Sequence, residues 1–222
     1  GARAPEAARD AMLGLVRTAI IVNDHAFICG GQSRIAIESA LSLKRAGIDV
    51  VYFAGSGPAD SRLEKAGVEV VVLGLHDLIS DPHPLRAACQ GLWNRQAAEG
   101  LASVLADHDP LSTVVHVHGW CKTLSPSIGP VVTRGPSAHV YTLHEYFLAC
   151  PNGGFYDYNA GRICTRRALG VGCLTMQCDA RNGWHKAWRV ARQATLWSRG
   201  RMPRDLREVI YLTSAQLGIL GS

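Results

Sequence analysis

The sequence lacks the features of a membrane-spanning or secreted protein. None of its apolar runs approaches the roughly 20 residues that cross a bilayer. Residues 1–10 hold no apolar run of the kind found in a signal peptide. We expect 1–17 to be a leader of another kind or an artificial segment. Charged residues are only 18% of the 222 positions, against 47% hydrophobic ones. This composition is typical of a globular domain with a sizeable core. We expect the protein to be cytoplasmic.

Two further features of the sequence disfavour particular classes of protein. The sequence has no complete G-x-G-x-x-G fingerprint, which disfavours a dinucleotide-dependent dehydrogenase. It holds seven cysteines, an odd number, with no secretory leader in the sequence given. These counts favour free thiols or metal ligands in a reducing compartment over a disulfide framework.

Apolar runs of strand length alternate with segments of helical spacing along the whole chain. This pattern predicts an α/β fold built on a doubly wound, Rossmann-like parallel sheet, with both faces covered by helices. The predicted strands are 18–23, 49–54, 68–73, 113–117, 139–143 and 208–212, and the predicted helices are 33–46, 61–66, 85–107, 127–134, 184–198 and one from 214 onward.

Ligands of such sheets bind beyond the carboxyl ends of the strands. After the first predicted strand, Gly30 and Gly31 precede a helix, where backbone amides can approach a phosphate. His118 ends the fourth strand and is placed to hydrogen-bond a substrate or move a proton, whereas we interpret His116 as a satisfied core histidine. His144 and Glu145 follow the fifth strand, either as substrate contacts or as a pair that ties down the loop.

Three segments carry a resemblance to a known family. GGQSRIAIESALSLKRAGIDVVYFAG (30–55) resembles the opening loop, helix and second strand of family-4 (group 1) glycosyltransferases. VVHVHGW (114–120) is similar to their H-x-H-G motif, and VYTLHEYFLACPNGGFYDYNAGRIC (140–164) is similar to a segment of one subgroup. The resemblance implies a GT-B enzyme of two Rossmann-like domains, which transfers a sugar from a nucleotide-sugar with retention of configuration and without a catalytic metal.

The resemblance also implies roles for single residues. Gly30 and Gly31 would approach the donor phosphates, and His118 would be the catalytic histidine at the sugar-transfer centre. His144 and Glu145 would contact a saccharide or lipid-linked acceptor, although the family more often has His-Asp there. Because 18–222 matches the N-terminal, acceptor-side half and contains no E-x7-E donor motif in the right context, we expect a donor-binding domain to be missing and this piece alone to be inactive.

Other functions remain open at the level of sequence. The chain could belong to a related GT-B enzyme such as a sugar-nucleotide epimerase. It could also be a non-catalytic module that binds a sugar or nucleotide, or a zinc-stabilised interaction domain.

Four cysteines fall in one segment, 150–182, that has no clean period. We predict a structural zinc site there and slightly prefer it to the alternative of buried thiols without metal. A disulfide or an iron–sulfur cluster is favoured less than either. The four cysteines are Cys150, Cys164, Cys173 and Cys178.

A basic segment follows these cysteines. From residue 150 onward there are eleven Lys and Arg against four Asp and Glu. Lys186, Arg189 and Arg192 are spaced to share one helix face, which could contact an anionic membrane at its inner face or a phosphorylated lipid. The simpler interpretation is that the tryptophans pack on the sheet and the arginines face solvent. No nucleic-acid motif accompanies the charge, so we expect no nucleic-acid partner.

Overall fold

The computed structural model describes residues 16–220, with side chains through residue 217. The predicted leader, 1–17, therefore lies almost wholly outside the described residues. The main sheet and its helices are β1 (Thr18–His25), α1 (Gly31–Arg45), β2 (Asp49–Ser56), α2 (Ser61–Lys65), β3 (Glu69–Val72), α3 (Pro84–Leu92), α4 (Arg95–Ala106), β4 (Thr113–Val117), α5 (Ile128–Arg134), β5 (Ala138–Leu143), α7 (Gly183–Ser198), β8 (Glu208–Tyr211) and α8 (Ser214–Leu220). Between β5 and α7 come a 3-10 turn (Tyr146–Leu148), the strands β6 (Tyr156–Asp157) and β7 (Arg162–Ile163), and the helix α6 (Val171–Thr175).

Six parallel strands form one sheet in the order β3-β2-β1-β4-β5-β8. The predicted α/β, Rossmann-like parallel sheet is confirmed, and each of the six predicted strands is present. The chain first adds strands on one side of β1 and then returns to add β4, β5 and β8 on the other side. The strand order therefore reverses between β1 and β4, which is where sheets of this type leave a crevice at the carboxyl edge.

The core lies on both faces of the sheet. One cluster packs α1 and α2 against β1 and β2, and includes the fully buried Ile37 and Tyr52. The other packs α4, α5 and α7 against the opposite face, and includes Phe53, Leu101 and Leu196. Because successive residues of a strand face opposite ways, neighbours such as Tyr52 and Phe53 enter different clusters. This explains why the strand runs are continuously apolar.

The predicted helix 85–107 is wrong as a single element. The structure divides it into α3 and α4 at Trp93 and Asn94. The side chain of Asn94 caps α4 by accepting from the amide of Ala97, and it donates to the carbonyl of Thr123. The amide of Asn94 donates to Ser125. These buried bonds replace the helical ones, so the chain turns at Asn94.

The cysteine-rich segment folds as a small layer on α7. Its two short strands pair as an antiparallel hairpin, and buried carboxylates form one ion pair within the segment and one with α7. Asp157 pairs with Arg166 at 3.5 Å, and Asp179 pairs with Arg189 of α7 at 3.0 Å. Within the part of the chain that is described, no helix has the length and apolar character needed to cross a membrane.

We predict that Gly129→Ala destabilises the fold. A Cβ built on Gly129 of α5 would lie 1.9 Å from the carbonyl oxygen of Gly200, a backbone atom that cannot swing aside. The free energy of unfolding, measured by urea titration, should fall by about 1–3 kcal/mol. The matched control is Gly183→Ala at the start of α7, where a Cβ meets nothing within 4 Å. Equal stability of the two variants would contradict this packing.

Candidate functional site

A cleft of about 420 Å³ opens at the carboxyl edge of the sheet, where the strand order reverses. It is lined by the loop after β1, by Lys122 after β4 and by the residues that follow β5, and we call it the polar cleft. Four residues singled out from the sequence line it together: Gly30, Gly31, His144 and Glu145.

The loop after β1 presents an uncapped helix start to the polar cleft. Gly30 precedes α1 and supplies no side-chain cap. The hydroxyl of Ser33 is already engaged, since it accepts from the amide of Cys29 and donates to the carbonyl of Gly30. A Cβ at Gly30 or Gly31 would meet nothing within 4 Å. Packing within the chain therefore does not require glycine at either position, whereas a ligand close to the backbone would.

Three imidazoles lie side by side behind and beside this cleft. The rings of His116 and His118 are 4.0 Å apart between centroids. Nδ1 of His118 is 3.0 Å from Nε2 of His144, and Nε2 of His116 is 2.7 Å from the hydroxyl of Thr142. His118 is 1% exposed and does not line the polar cleft, and its Nε2 has no hydrogen-bond partner in the structure. His118 therefore reaches the cleft through His144.

All three histidines are neutral at physiological pH. Burial, with the nearby imidazoles of His116 and His144, lowers the pKa of His118 from 6.5 to about 2. Burial lowers the pKa of His116 and of His144 to about 4. The expected proton transfer by His118 near neutral pH has no support from this geometry. Neutral imidazoles do remain hydrogen-bond donors and acceptors.

Glu145 is held by a thiol. Sγ of Cys121 donates to Oε1 of Glu145 at 2.7 Å. Burial raises the pKa of Glu145 above its usual 4.5, although this contact opposes the rise. Burial also raises the pKa of Cys121 well above 9.0, so Cys121 is a protonated thiol and does not act as a nucleophile.

Asp24 and Lys122 are among the residues of the site that were not singled out from the sequence. Asp24 at the end of β1 is 1% exposed; its Oδ1 accepts from the amide of Thr123 at 2.8 Å, while its Oδ2 has no partner in the structure. Lys122, beside Thr123, lines the polar cleft. Asp24 comes directly after the predicted strand 18–23, and an acidic residue there is a signal that could have been noticed. The position of Lys122 in the cleft is set by the turn that follows β4, which the sequence does not reveal.

The four cysteines are placed separately from this site. All are free, and among the residues the structure describes there is no group of three or more His, Cys, Asp or Glu side chains arranged to hold a metal ion. Nζ of Lys186 lies 3.1 Å from Sγ of Cys178 and 3.6 Å from Sγ of Cys173. A lysine occupies the space between these sulfurs, so the residues as placed do not fit the predicted zinc.

The basic helix face points inward. Lys186 and Arg192 are each 5% exposed, which contradicts the simpler interpretation that these cations face solvent. Arg189 pairs with Asp179, and Arg192 donates to the carbonyl of Cys121 at 3.0 Å. The spacing on α7 was predicted correctly, but its basic face packs against the cysteine-rich layer and the turn after β4.

Comparisons with known proteins yield likenesses of fold only. The sequence matches no protein-family model and no curated protein sequence. Among solved structures, it is similar to a glycosyltransferase from Rickettsia africae ESF-5, with a TM-score of 0.38 and 18% identity over 59% of this chain and 30% of that one. It is also similar to LpCGTa in complex with UDP, with a TM-score of 0.46 and 14% identity over 91% of this chain and 47% of that one. The chain thus spans less than half the length of either structure.

We predict that stability falls as the pH is lowered from 7.5, and that His118 carries part of the fall. The unfolded histidine takes up a proton near pH 6.5, whereas folded His118 does not until about pH 2. Below pH 6.5 the unfolded state binds more protons, so each such histidine lowers the free energy of unfolding by up to about 1.4 kcal/mol per pH unit.

Urea titrations at pH 7.5, 6.5 and 5.5 test this prediction. His118→Gln should show a weaker pH dependence than the unaltered protein, while His76→Gln at an exposed position should not. An unchanged dependence in His118→Gln would show that His118 is not held neutral.

Proposed function

We propose that this domain is the acceptor-side half of a glycosyltransferase, which moves a sugar from a nucleotide-sugar donor to an acceptor. The observation that carries the proposal is the convergence of Gly30, Gly31, His144 and Glu145 on one cleft at the strand-order reversal. These are the residues that the family resemblance assigns to the donor phosphates and the acceptor. They come from two loops more than a hundred residues apart in sequence.

The start of α1 would take the donor phosphates. Its first amides are uncapped, and the helix dipole favours negative charge there. Lys122 adds a cation to the same cleft. The open space over Gly30 and Gly31 would allow a phosphate to reach the backbone. The nucleotide itself would be bound mainly by a second, donor-binding domain.

The histidines and Glu145 would act on the sugar and the acceptor in different ways. His144 lines the cleft and would hydrogen-bond the transferred sugar as a neutral imidazole. His118, which is buried behind His144, would act through it, since its hydrogen bond fixes the ring of His144. Glu145, whose pKa is raised, is better matched than the histidines to accept a proton from the acceptor.

The finer features of the proposal follow the family resemblance. Transfer would retain the anomeric configuration and need no catalytic metal, and the protein would be cytoplasmic or peripheral at the inner face of a membrane. Binding without turnover is the second candidate, because the low pKa values of all three histidines leave no imidazole to exchange protons near neutral pH.

Turnover separates these two candidates. In the full-length gene product incubated with a panel of nucleotide-sugars, release of the nucleoside diphosphate should be measurable by chromatography. His144→Ala should lower kcat/KM by about 10²–10³-fold, since one hydrogen bond at the developing charge is lost, and His118→Ala should lower it as well. His108→Gln, which precedes β4 at the opposite edge of the sheet, is the control. If His144→Ala releases the nucleoside diphosphate at the unaltered rate, sugar transfer does not take place at His144.

We also predict that Gly31→Ala weakens donor binding without harming the fold. The added methyl has open space in the free protein but would meet a phosphate at the helix start. The KM for the nucleotide-sugar should rise while the free energy of unfolding changes by less than about 0.5 kcal/mol. Gly183→Ala also adds a methyl in open space at a helix start, far along the chain, and should leave KM unchanged. A normal KM in Gly31→Ala would place the phosphates elsewhere.

A further inference from the structure

A second cleft lies between α3 and α7 and has a volume of about 390 Å³. This volume is within the roughly 300–1,000 Å³ of small-molecule sites. Its walls include Leu78, Phe147 and Trp188, and we call it the apolar cleft. The indole of Trp188 donates to the carbonyl of Ala88 at 3.0 Å, which holds the two helices together at its base. Lys122 lines both this cleft and the polar cleft.

A buried cation without a carboxylate partner forms part of the wall. Arg192 is 5% exposed, and its one hydrogen bond in the structure goes to the carbonyl of Cys121. Its guanidinium lies 4.6 Å from the ring centre of Phe147 and 4.9 Å from that of Trp188. Among the described residues, no carboxylate forms an ion pair with it, and Glu145 and Asp24 attract it only from farther away. A buried charge is costly unless it is paired, so this arrangement points to an anionic ligand.

The remaining charges of the apolar cleft leave it positive. Its lining includes four Lys and Arg side chains and one carboxylate. That carboxylate, Asp77, contacts His25 at 3.4 Å. Arg189 is the cation that already has a partner, Asp179. Lys122, Arg181 and Arg192 are therefore available to an anion, and a phosphate carries enough charge for two of them.

The rim of the cleft is unusually apolar for an exposed surface. Trp184 and Ile79 line the opening and are 85% and 74% exposed, and Leu85, next to the lining residue Pro84, is 85% exposed. An exposed apolar rim around a cleft marks a binding site for an apolar group. A free saccharide has no apolar chain that would cover this rim.

We propose that the apolar cleft binds an amphiphilic phosphate, with its apolar chain between α3 and α7 and its phosphate at Arg192 and Lys122. The proposal rests on the proposed function and names the acceptor class, a lipid phosphate. Because Lys122 belongs to both clefts, the phosphate end of the acceptor faces the polar cleft, where the sugar is transferred.

Direct binding tests this proposal without a nucleotide-sugar. The probes are octyl phosphate, octyl glucoside below its micelle concentration, and inorganic phosphate, each measured by calorimetry and by the emission of the tryptophans. Octyl phosphate should bind with a Kd at least about tenfold below that of either other probe. If octyl glucoside binds as tightly as octyl phosphate, the cleft is only an apolar groove. If inorganic phosphate binds as tightly, the cleft is only an anion site. Either result, or no binding of octyl phosphate, would overturn the proposal.

Variants locate the binding. Ala88→Phe fills the cleft and Lys122→Gln removes a cation, and each should raise the Kd of octyl phosphate by about tenfold. Arg192→Met should remove the preference for octyl phosphate over octyl glucoside, and if it fails to fold, the first two variants still decide the matter. Lys65→Gln at an exposed position on α2 is the matched control. Unchanged affinity in both Ala88→Phe and Lys122→Gln, or an equal loss in Lys65→Gln, would contradict the site.

The two proposals fail separately. Sugar transfer without binding of octyl phosphate would sink the lipid-phosphate acceptor alone. Binding of octyl phosphate at this cleft, with no turnover of any nucleotide-sugar by the full-length gene product, would contradict the transferase alone.

Discussion

The carboxylate of Asp24 holds the turn after β4 against the end of β1, and both clefts depend on this attachment. Its Oδ1 accepts from the amides of Thr123 and Leu124, about a hundred residues away in sequence. The absence of a side chain at Gly55 makes room for Thr123, since a Cβ there would lie 2.1 Å from the threonine hydroxyl. These contacts hold the turn against β1, and they place Lys122 where it lines both clefts. A buried acceptor with this many donors is difficult to replace without moving the turn.

The sheet was predictable because its signal is local. Strands covered on both faces must be apolar throughout, and six such runs separated by helical segments leave few other topologies. The division of the helix at Asn94 was not predictable from its own segment. The partners that hold Asn94 there, Thr123 and Ser125, come from the turn after β4. Helical periodicity gives no information about a bond made thirty residues away.

The site residues that come directly after a strand were predictable. The site residues that are placed by the turn after β4 were not. Glycines after β1 and the His144–Glu145 pair after β5 meet because parallel strands place their carboxyl ends at one edge. The burial of His118 depends on packing that its own strand does not specify. The basic spacing on α7 was correct, yet spacing alone cannot tell whether a face turns to solvent or to the interior. Contacts from other elements hold this face inward: Asp179 pairs with Arg189, two cysteine sulfurs contact Lys186, and the carbonyl of Cys121 accepts from Arg192.

Burying the charge of Arg192 lowers the stability of the fold, and the packing around it does not require a charge there. Three aromatic rings surround the guanidinium, and an apolar side chain of similar length would pack there without a charge to desolvate. The hydrogen bond of the guanidinium to the carbonyl of Cys121, which methionine would not make, offsets this desolvation only in part. Departures of this kind occur where a site must bind something that the free protein lacks. An anion beside Arg192 would supply the missing partner, and an apolar chain would cover the surrounding wall. The same arrangement that weakens the isolated fold would then give the cleft its selectivity for a ligand with both properties.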